Sequence, residues 1–497
     1  MFEMLVQGFE SVFTFQIILL IVVGVILGLV FGSIPGLTAT MAIAICLPIT
    51  YGMDPVAGMS LLMGLYIGGV SGGLIPAILL KLPGTPSSIA TTFDGYPMAQ
   101  KGEAGKAFSF AIFSSFFGGL ISIIALIMIA PPLGKIALEF GPFEFFAIVV
   151  FSLTLISSLS GDSMVKGVLS GALGISFAMV GSAPIDAFPR FTFGFSSLDA
   201  GFDLLPVLIG LFAVSEILIN AEKKIKDNKS TRLKKISYRV KFSEYFAQKW
   251  NFLRSTLLGL GIGILPGIGG GTANIIAYAT TKNLSKNPEE FGKGTPAGVV
   301  ASESSNNAAI GGALVPLISL GIPGDTVTAM LLGGLVLHGL QPGPMLIQNS
   351  GDVVFGIFAA LLIANILMAL FLFLGMRGFV RLLSIPQAIL LPIILALCVV
   401  GAFGVNNRLF DVGALFFFGV IGYLMIKVKI PLTPLVLGFI LGPILETNLR
   451  RGLMLSEGSF TPFVTEPIAA GFLLLTVFSI AMKIYSSRKK KKLQQVN

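Results

Sequence analysis

The sequence predicts an all-α polytopic membrane protein made of two inverted-topology repeats, with broken helices, re-entrant hairpins and about 11 to 13 spans. Three observations predict it. Of 497 residues, 54% are hydrophobic and only 11% charged, whereas soluble chains carry about 25% charged residues. Apolar runs recur at 16–31, 108–129, 145–157, 204–218, 353–375, 412–426 and 468–482, and several approach the roughly 20 residues that cross a ~30 Å hydrocarbon layer. The two halves also carry matching Pro-Gly breaks. Backbone groups in lipid must be paired within the segment, so the runs are expected to be helices. The alternation of a β-barrel strand is absent from them.

Charge orients the chain. The net charge is +9, but it is concentrated. Segment 222–250 holds ten Lys/Arg against three Asp/Glu, and Lys483, Arg488, Lys489, Lys490, Lys491 and Lys492 crowd the C-terminal stretch. Basic runs beside membrane helices follow the positive-inside rule. Both are therefore expected in the cytoplasm against anionic lipid, with no nucleic-acid partner. Residues 1–80 contain no Lys or Arg but do contain Glu3, Glu10 and Asp54. The N-terminus is thus expected outside, without the basic region of a signal peptide. The expected organisation is a first membrane repeat (1–221), a basic cytoplasmic linker (222–250), a second repeat (251–464), an extra transmembrane helix (465–486) and a basic cytoplasmic tail (487–497). An odd number of crossings repeated across one cytoplasmic linker inverts the second repeat.

The repeat is visible in the residues. Gly32-Ser-Ile-Pro35-Gly36 matches Gly263-Ile-Leu-Pro266-Gly267 at an offset of 231. Gly72-Gly-Leu-Ile-Pro76 followed by Pro83-Gly84 matches Gly312-Ala-Leu-Val-Pro316 followed by Pro323-Gly324 at an offset of 240. Proline removes a backbone donor and glycine opens unusual φ/ψ, so each pair breaks a helix. The helix that starts after a break presents N–H groups suited to a carboxylate or phosphate. Small polar residues follow: Thr38 and Thr40; Thr85, Ser87 and Ser88; Gly269, Gly270, Thr272 and Asn274; Asp325, Thr326 and Thr328. Single Pro-Gly sites in membrane helices are ordinary kinks, but four that pair across a repeat point to a binding site.

Glu303, Asn306 and Asn307 lie in otherwise apolar sequence, where polar groups are costly and usually functional. With Asp325 they are candidates for ion coupling, either as oxygen ligands for Na⁺ or through a titrating carboxyl. For Glu303, Asn306 and Asn307 the alternative role is a polar helix contact or a cap at a short loop. Asp94-Gly95-Tyr96-Pro97 reads as a tight turn. Lys81 is placed to snorkel, to pair with an acid or to face an anion, and His338 reads as a packing residue. Cys46 and Cys398 read as small apolar core residues. No nucleotide-binding or hydrolase signature is present, so neither an ATP-driven pump nor an enzyme is expected, and no organic cofactor.

At these residues the chain resembles the large membrane subunit of tripartite tricarboxylate transporters. The resemblance is carried by SIPGLTATMAIAICLPITYGMDP (33–55), LLKLPGTPSSIATTFDGYPMAQKGEAGKA (79–107), GILPGIGGG (263–271), EEFGKGTPAGVVASESSNNAAIGGALVPLISLGIPGD (289–325) and HGLQPGP (338–344). Lys81 stands where the family often has Asn. The resemblance implies three things: a small membrane subunit as partner, an extracytoplasmic solute-binding protein that delivers a carboxylate, and uptake driven by Na⁺ or H⁺ across a bacterial or archaeal plasma membrane. A stand-alone anion channel or exporter with the same repeats is the competing expectation.

Overall fold

A computed structural model of the chain describes residues 2–159, 163–222, 240, 242–382 and 387–494. In order the helices are α1 (Phe2–Val12), α2 (Phe15–Ser33), α3 (Ala39–Cys46), α4 (Pro55–Gly72), α5 (Leu74–Leu80), α6 (Thr91–Gln100), α7 (Ala104–Ala137), α8 (Pro142–Leu159), α9 (Met164–Ala178), α10 (Leu204–Ile209), α11 (Ser215–Glu222) and α12 (Phe242–Ala247). They continue as α13 (Lys249–Ile264), α14 (Gly269–Leu284), α15 (Pro296–Leu320), α16 (Thr326–Leu337), α17 (Pro344–Asn349), α18 (Gly351–Leu382), α19 (Gln387–Asn406), α20 (Leu409–Lys427), α21 (Leu432–Leu455), α22 (Thr461–Thr465) and α23 (Pro467–Gln494). A two-residue antiparallel hairpin, β1 (Gly181–Ser182) with β2 (Pro189–Arg190), is the one sheet among the described residues.

Eight helical spans among the described residues are long and apolar enough to cross a membrane: Phe15–Ser33, Pro55–Leu80, Ala104–Ala137, Leu204–Glu222, Gly351–Met376, Ala388–Asn406, Leu409–Lys427 and Leu432–Leu455. Shorter apolar helices cover Ala39–Thr50, Pro142–Leu155, Met164–Ala178, Thr326–Leu337 and Pro467–Lys483. The chain is an all-α polytopic membrane protein. Most of the basic linker lies outside the described residues. The Cys46 and Cys398 thiols are free and buried.

Two compact units form, and each takes a piece from both halves of the chain: Met1–Gly134 with Phe212–Asn407, and Lys135–Leu211 with Arg408–Asn497. In the first unit, packing repeats as the sequence does. Helix α2 lies on α4 as α13 lies on α15, with glycines at the crossings. A Cβ on Gly72 would lie 2.7 Å from Leu29 O and 3.1 Å from Gly32 Cα. One on Gly312 would lie 2.5 Å from Leu260 O and 3.0 Å from Gly263 Cα. These are the same contacts at offsets of 240 and 231. Small residues allow this approach because lipid offers no hydrophobic drive to helix association and close van der Waals packing must supply it.

The helix ends repeat too. The Leu82 and Ile322 N–H groups donate to Pro76 O and Pro316 O, and the residues before them, Lys81 and Gly321, are left-handed at φ 58° and 73°. Gly84 sits against Gly32 O as Gly324 sits against Gly263 O. Ser88 Oγ and Thr328 Oγ1 accept from the N–H of Thr85 and Asp325 at 3.3 and 2.8 Å. One difference is local: Pro83-Gly84 is followed by a three-residue 3₁₀ turn, Pro86–Ser88, where the other breaks lead directly into α-helices.

The expected turn at Asp94-Gly95-Tyr96-Pro97 is corrected: these residues lie inside α6. Pro97 lies inside α6, where it cannot donate a helix hydrogen bond, and Asp94 supplies tertiary partners that hold the chain. Its Oδ1 accepts from the N–H of Gly292, Gly294 and Thr295 at 2.9, 2.8 and 3.0 Å, and its Oδ2 accepts from Tyr278 Oη at 2.9 Å.

In the second unit the β1–β2 hairpin is tied to α21. Arg190 donates to both oxygens of Glu446 at 2.7 and 3.1 Å, and Arg450 pairs with Asp186 and Glu446 at 3.0 Å each. The hydrogen bond from Arg450 holds the exposed Asp186 carboxyl below its ordinary value. A depressed carboxyl stabilises above its unfolded value and loses that contribution as pH falls through the folded one. Protease cleavage within 183–188 is therefore expected to rise only below about pH 4, and to rise at neutral pH in Arg190→Ala. Equal cleavage of Arg190→Ala and the parent at neutral pH would remove the anchoring role.

Candidate functional site

The four breaks meet through a crossed set of contacts in the first unit. After Pro35-Gly36, helix α3 is capped by Thr38, whose Oγ1 accepts from Met41 N at 3.1 Å. One residue into α3, Thr40 Oγ1 is hydrogen-bonded to Thr326 Oγ1, the first residue of α16, at 3.3 Å. After Pro266-Gly267, helix α14 carries Asn274, whose Nδ2 donates to Ser87 O in the turn behind Pro83-Gly84. The helix after each half's first break thus touches the segment after the other half's second break. Gly267 N donates to Gly324 O at 2.7 Å and joins the third and fourth breaks directly.

The remaining expected residues fall around these contacts. Gly36 and Gly267 turn the chain at φ 91° and 78°, and Gly36 O accepts from Asn220 Nδ2 at 2.9 Å. Thr85 Oγ1 and Ser87 Oγ are hydrogen-bonded at 3.1 Å. Gly269 lies against the Asp325 side chain and Gly270 against Asn306 and Ser87. Pro266 and Pro323 are buried, while Pro83 and Thr272 are exposed. Lys81 is exposed, with its Nζ 5.9 Å from the Tyr96 ring centre. His338 is hydrogen-bonded to Thr50 Oγ1 at 3.2 Å.

The polar cluster is not a loop cap. Glu303, Asn306 and Asn307 sit mid-helix in α15, and all three are buried. Glu303 Oε1 accepts from Thr91 Oγ1 at 2.5 Å and Oε2 from Ser115 Oγ at 3.0 Å. Glu303 forms no ion pair among the described residues. Asn307 Oδ1 accepts from Ser71 Oγ at 2.7 Å. Asp325 is the N-cap of α16: Oδ1 accepts from Thr328 N at 2.7 Å and Oδ2 from Tyr66 Oη at 2.9 Å. The four candidates for ion coupling are therefore divided. Glu303 is bonded from α6 and α7, and Asp325 is bonded from α4 and within its own helix. No group of three or more His, Cys, Asp or Glu placed to hold a metal ion occurs among the described residues.

Sequence reasoning missed Tyr66, Ser71, Thr91, Ser115 and Asn220. Tyr66 carried a readable signal, a lone phenol in the apolar run of α4. The hydroxyls did not, because Ser and Thr are common in membrane helices and their partners are far away in sequence.

A polytopic helical protein whose broken helices gather buried polar side chains has the build of a membrane transporter. Comparison with known proteins gives the family. The tripartite tricarboxylate transporter TctA family matches over residues 18–437, and the chain belongs to it. A relative in Agrobacterium vitis, described as an uncharacterized 52.8 kDa protein in the TAR-I ttuC' 3' region, is 38% identical over 487 residues, 98% of this chain and 96% of its own length. A second from the same organism, described as an uncharacterized protein in the TAR-II ttuC' 3' region, is 41% identical over 232 residues, 46% of this chain and 96% of its own length. No solved structure matches.

Proposed function

We propose that the chain is the substrate-translocating large subunit of an ion-gradient-driven uptake system for small carboxylates. It would work with a small membrane subunit and an extracytoplasmic solute-binding protein, with Na⁺ or H⁺ as the coupling ion and no other cofactor. The crossed contact of the four breaks carries this reading. Thr40–Thr326, Asn274–Ser87 and Gly267–Gly324 bring the non-helical backbone of both halves together. Broken backbone at membrane depth lines a substrate path or is buried in protein. The repeated contacts support two repeats; their opposite orientation, in a plasma membrane with the N-terminus outside and the basic linker and tail inside, rests on the charge distribution and the odd number of crossings in the first half.

Uptake of labelled citrate, succinate and malate into vesicles holding the chain with its two partners tests the reading. Saturable, gradient-dependent accumulation supports it. Unitary currents without coupling would make the chain a channel instead. Cysteines at Ser230 and Ser487 are expected to resist an impermeant thiol reagent in intact cells, and labelling of either from outside would overturn the orientation. Glu303→Gln is expected to change the response of uptake to Na⁺ or pH while membrane insertion is retained. An unaltered response to both would remove Glu303 from coupling.

A further inference from the structure

We propose that the end of α13 that follows the basic linker carries a binding site for one anionic phospholipid, with the lipid phosphate on the Arg254 guanidinium and an acyl chain over Leu253 and Leu257. The site is apart from the breaks, and the inference does not depend on what the protein transports. Trp250, Leu253, Arg254, Leu257 and Leu258 line a groove of about 370 Å³. Their spacing by three and four residues puts them on one face of α13. The volume is in the range of small-molecule sites, and the face is open: Trp250 is 71% exposed and Leu257 54%.

Charge says what the groove takes. Arg254 forms no ion pair among the described residues. Its Nη2 donates to Thr281 Oγ1 of α14 at 3.2 Å and to Asn251 Oδ1 at 3.4 Å, while its Nε is buried without a hydrogen-bond partner. An arginine that merely snorkels turns its head to water; this one is held against α14. A guanidinium carries five N–H donors in a flat fork and no acceptor, and a phosphate can accept two of them side by side. Lys249 adds a second cation without an ion pair among the described residues. Its Nζ lies 4.2 Å from the ring centre of Phe246 and 5.8 Å from that of Trp250.

The order of groups selects a lipid. A helix rises ~1.5 Å per residue, so from Trp250 to Leu257 the face passes in about 10 Å from an aromatic ring through a cation to exposed leucines. A lipid leaflet presents the same order, with headgroup and phosphate above the acyl chain. A protein helix laid on this face would bury cations that have no acid beside them, and a free phosphate would leave the leucines bare. The site also bears on packing. Asn251 Oδ1 accepts from Thr281 Oγ1, and Asn251 Nδ2 donates to Ala297 O, both at 2.9 Å. Arg254 therefore belongs to the polar contact that joins α13 to α14 and to the start of α15.

Trp250 is the chain's one tryptophan, so its fluorescence reports this groove alone. The test places the full chain in vesicles of phosphatidylcholine and phosphatidylglycerol, with one lipid or the other brominated near the top of its acyl chain. Brominated phosphatidylglycerol is expected to quench at a mole fraction about fivefold below that of brominated phosphatidylcholine, the preference that one basic side chain confers at a membrane surface. Arg254→Gln is expected to remove the preference, while brominated phosphatidylcholine still quenches and so reports α13 in place. Lys286→Gln removes the same charge from the exposed loop after α14 and is expected to keep the preference. Equal quenching by both lipids in the parent means that Trp250 meets bulk lipid only, and quenching by neither means that protein covers the face; either result overturns the site. A preference that survives Arg254→Gln, or that Lys286→Gln lowers as much, also overturns it by showing diffuse attraction to the basic end.

Discussion

Gly324→Val is expected to abolish uptake while the chain still inserts into the membrane. Insertion depends on the long apolar helices, which the substitution leaves intact. The break has no room for a side chain. A Cβ on Gly324 would lie 2.6 Å from Ala313 Cα and 2.8 Å from Gly263 O, and backbone on both sides cannot rotate away as a side chain can. Forced separation of α15 from α13 would also draw Gly324 O from Gly267 N, now at 2.7 Å. Overpacking of this kind costs about 3 kcal/mol, and it falls where both breaks of the second half meet. Gly84→Val, packed against Gly32 O and 2.8 Å from Gly73 Cα, is expected to behave alike in the first half. The check is uptake together with thermal unfolding of the purified chain. Uptake by Gly324→Val above half the parent rate would show that the break tolerates a side chain and that its tightness has no functional weight.

Asp94→Ala is expected to be the most destabilising single polar substitution in α6. It removes the acceptor of three backbone N–H groups in 292–295 and of the Tyr278 hydroxyl at once. Gly292 is exposed, so water replaces part of what is lost; a buried donor left unpaired costs ~1–3 kcal/mol, and about 2–4 kcal/mol is expected in all. Asp94→Asn keeps one oxygen for the N–H groups and is expected to lose less, while Tyr278→Phe removes one bond and about 1 kcal/mol. Thermal unfolding and proteolysis at 285–295 measure both effects. A loss below ~0.5 kcal/mol for Asp94→Ala would mean that the carboxylate merely rests against the loop.

Asp94 also shows where reading the sequence fails. Asp-Gly and Tyr-Pro are turn signals on local grounds, and α6 forms through them because the carboxylate finds acceptor duty 198 to 201 residues away. The Pro-Gly breaks read correctly because their cause is local: proline lacks a donor at all four, and Gly36 and Gly267 reach φ 91° and 78°. Glu303 stands between these cases. Its position in apolar sequence marked it as unusual, but the hydroxyls that hold it, Thr91 and Ser115, come from 212 and 188 residues away and look like any others in a membrane helix.

The helical membrane class, the positions of the breaks and the two offsets of the repeat were all legible in the residues alone. Hydropathy, backbone chemistry and charge act within one helix or across one layer of lipid, and residues within a short window report them. Which breaks meet depends on long-range packing. Thr40 and Thr326, 286 residues apart, and Asn274 and Ser87, 187 apart, come together by the packing of glycine-faced helices. Nothing in a window of sequence encodes that choice, because close packing selects a partner by the shape of both surfaces at once.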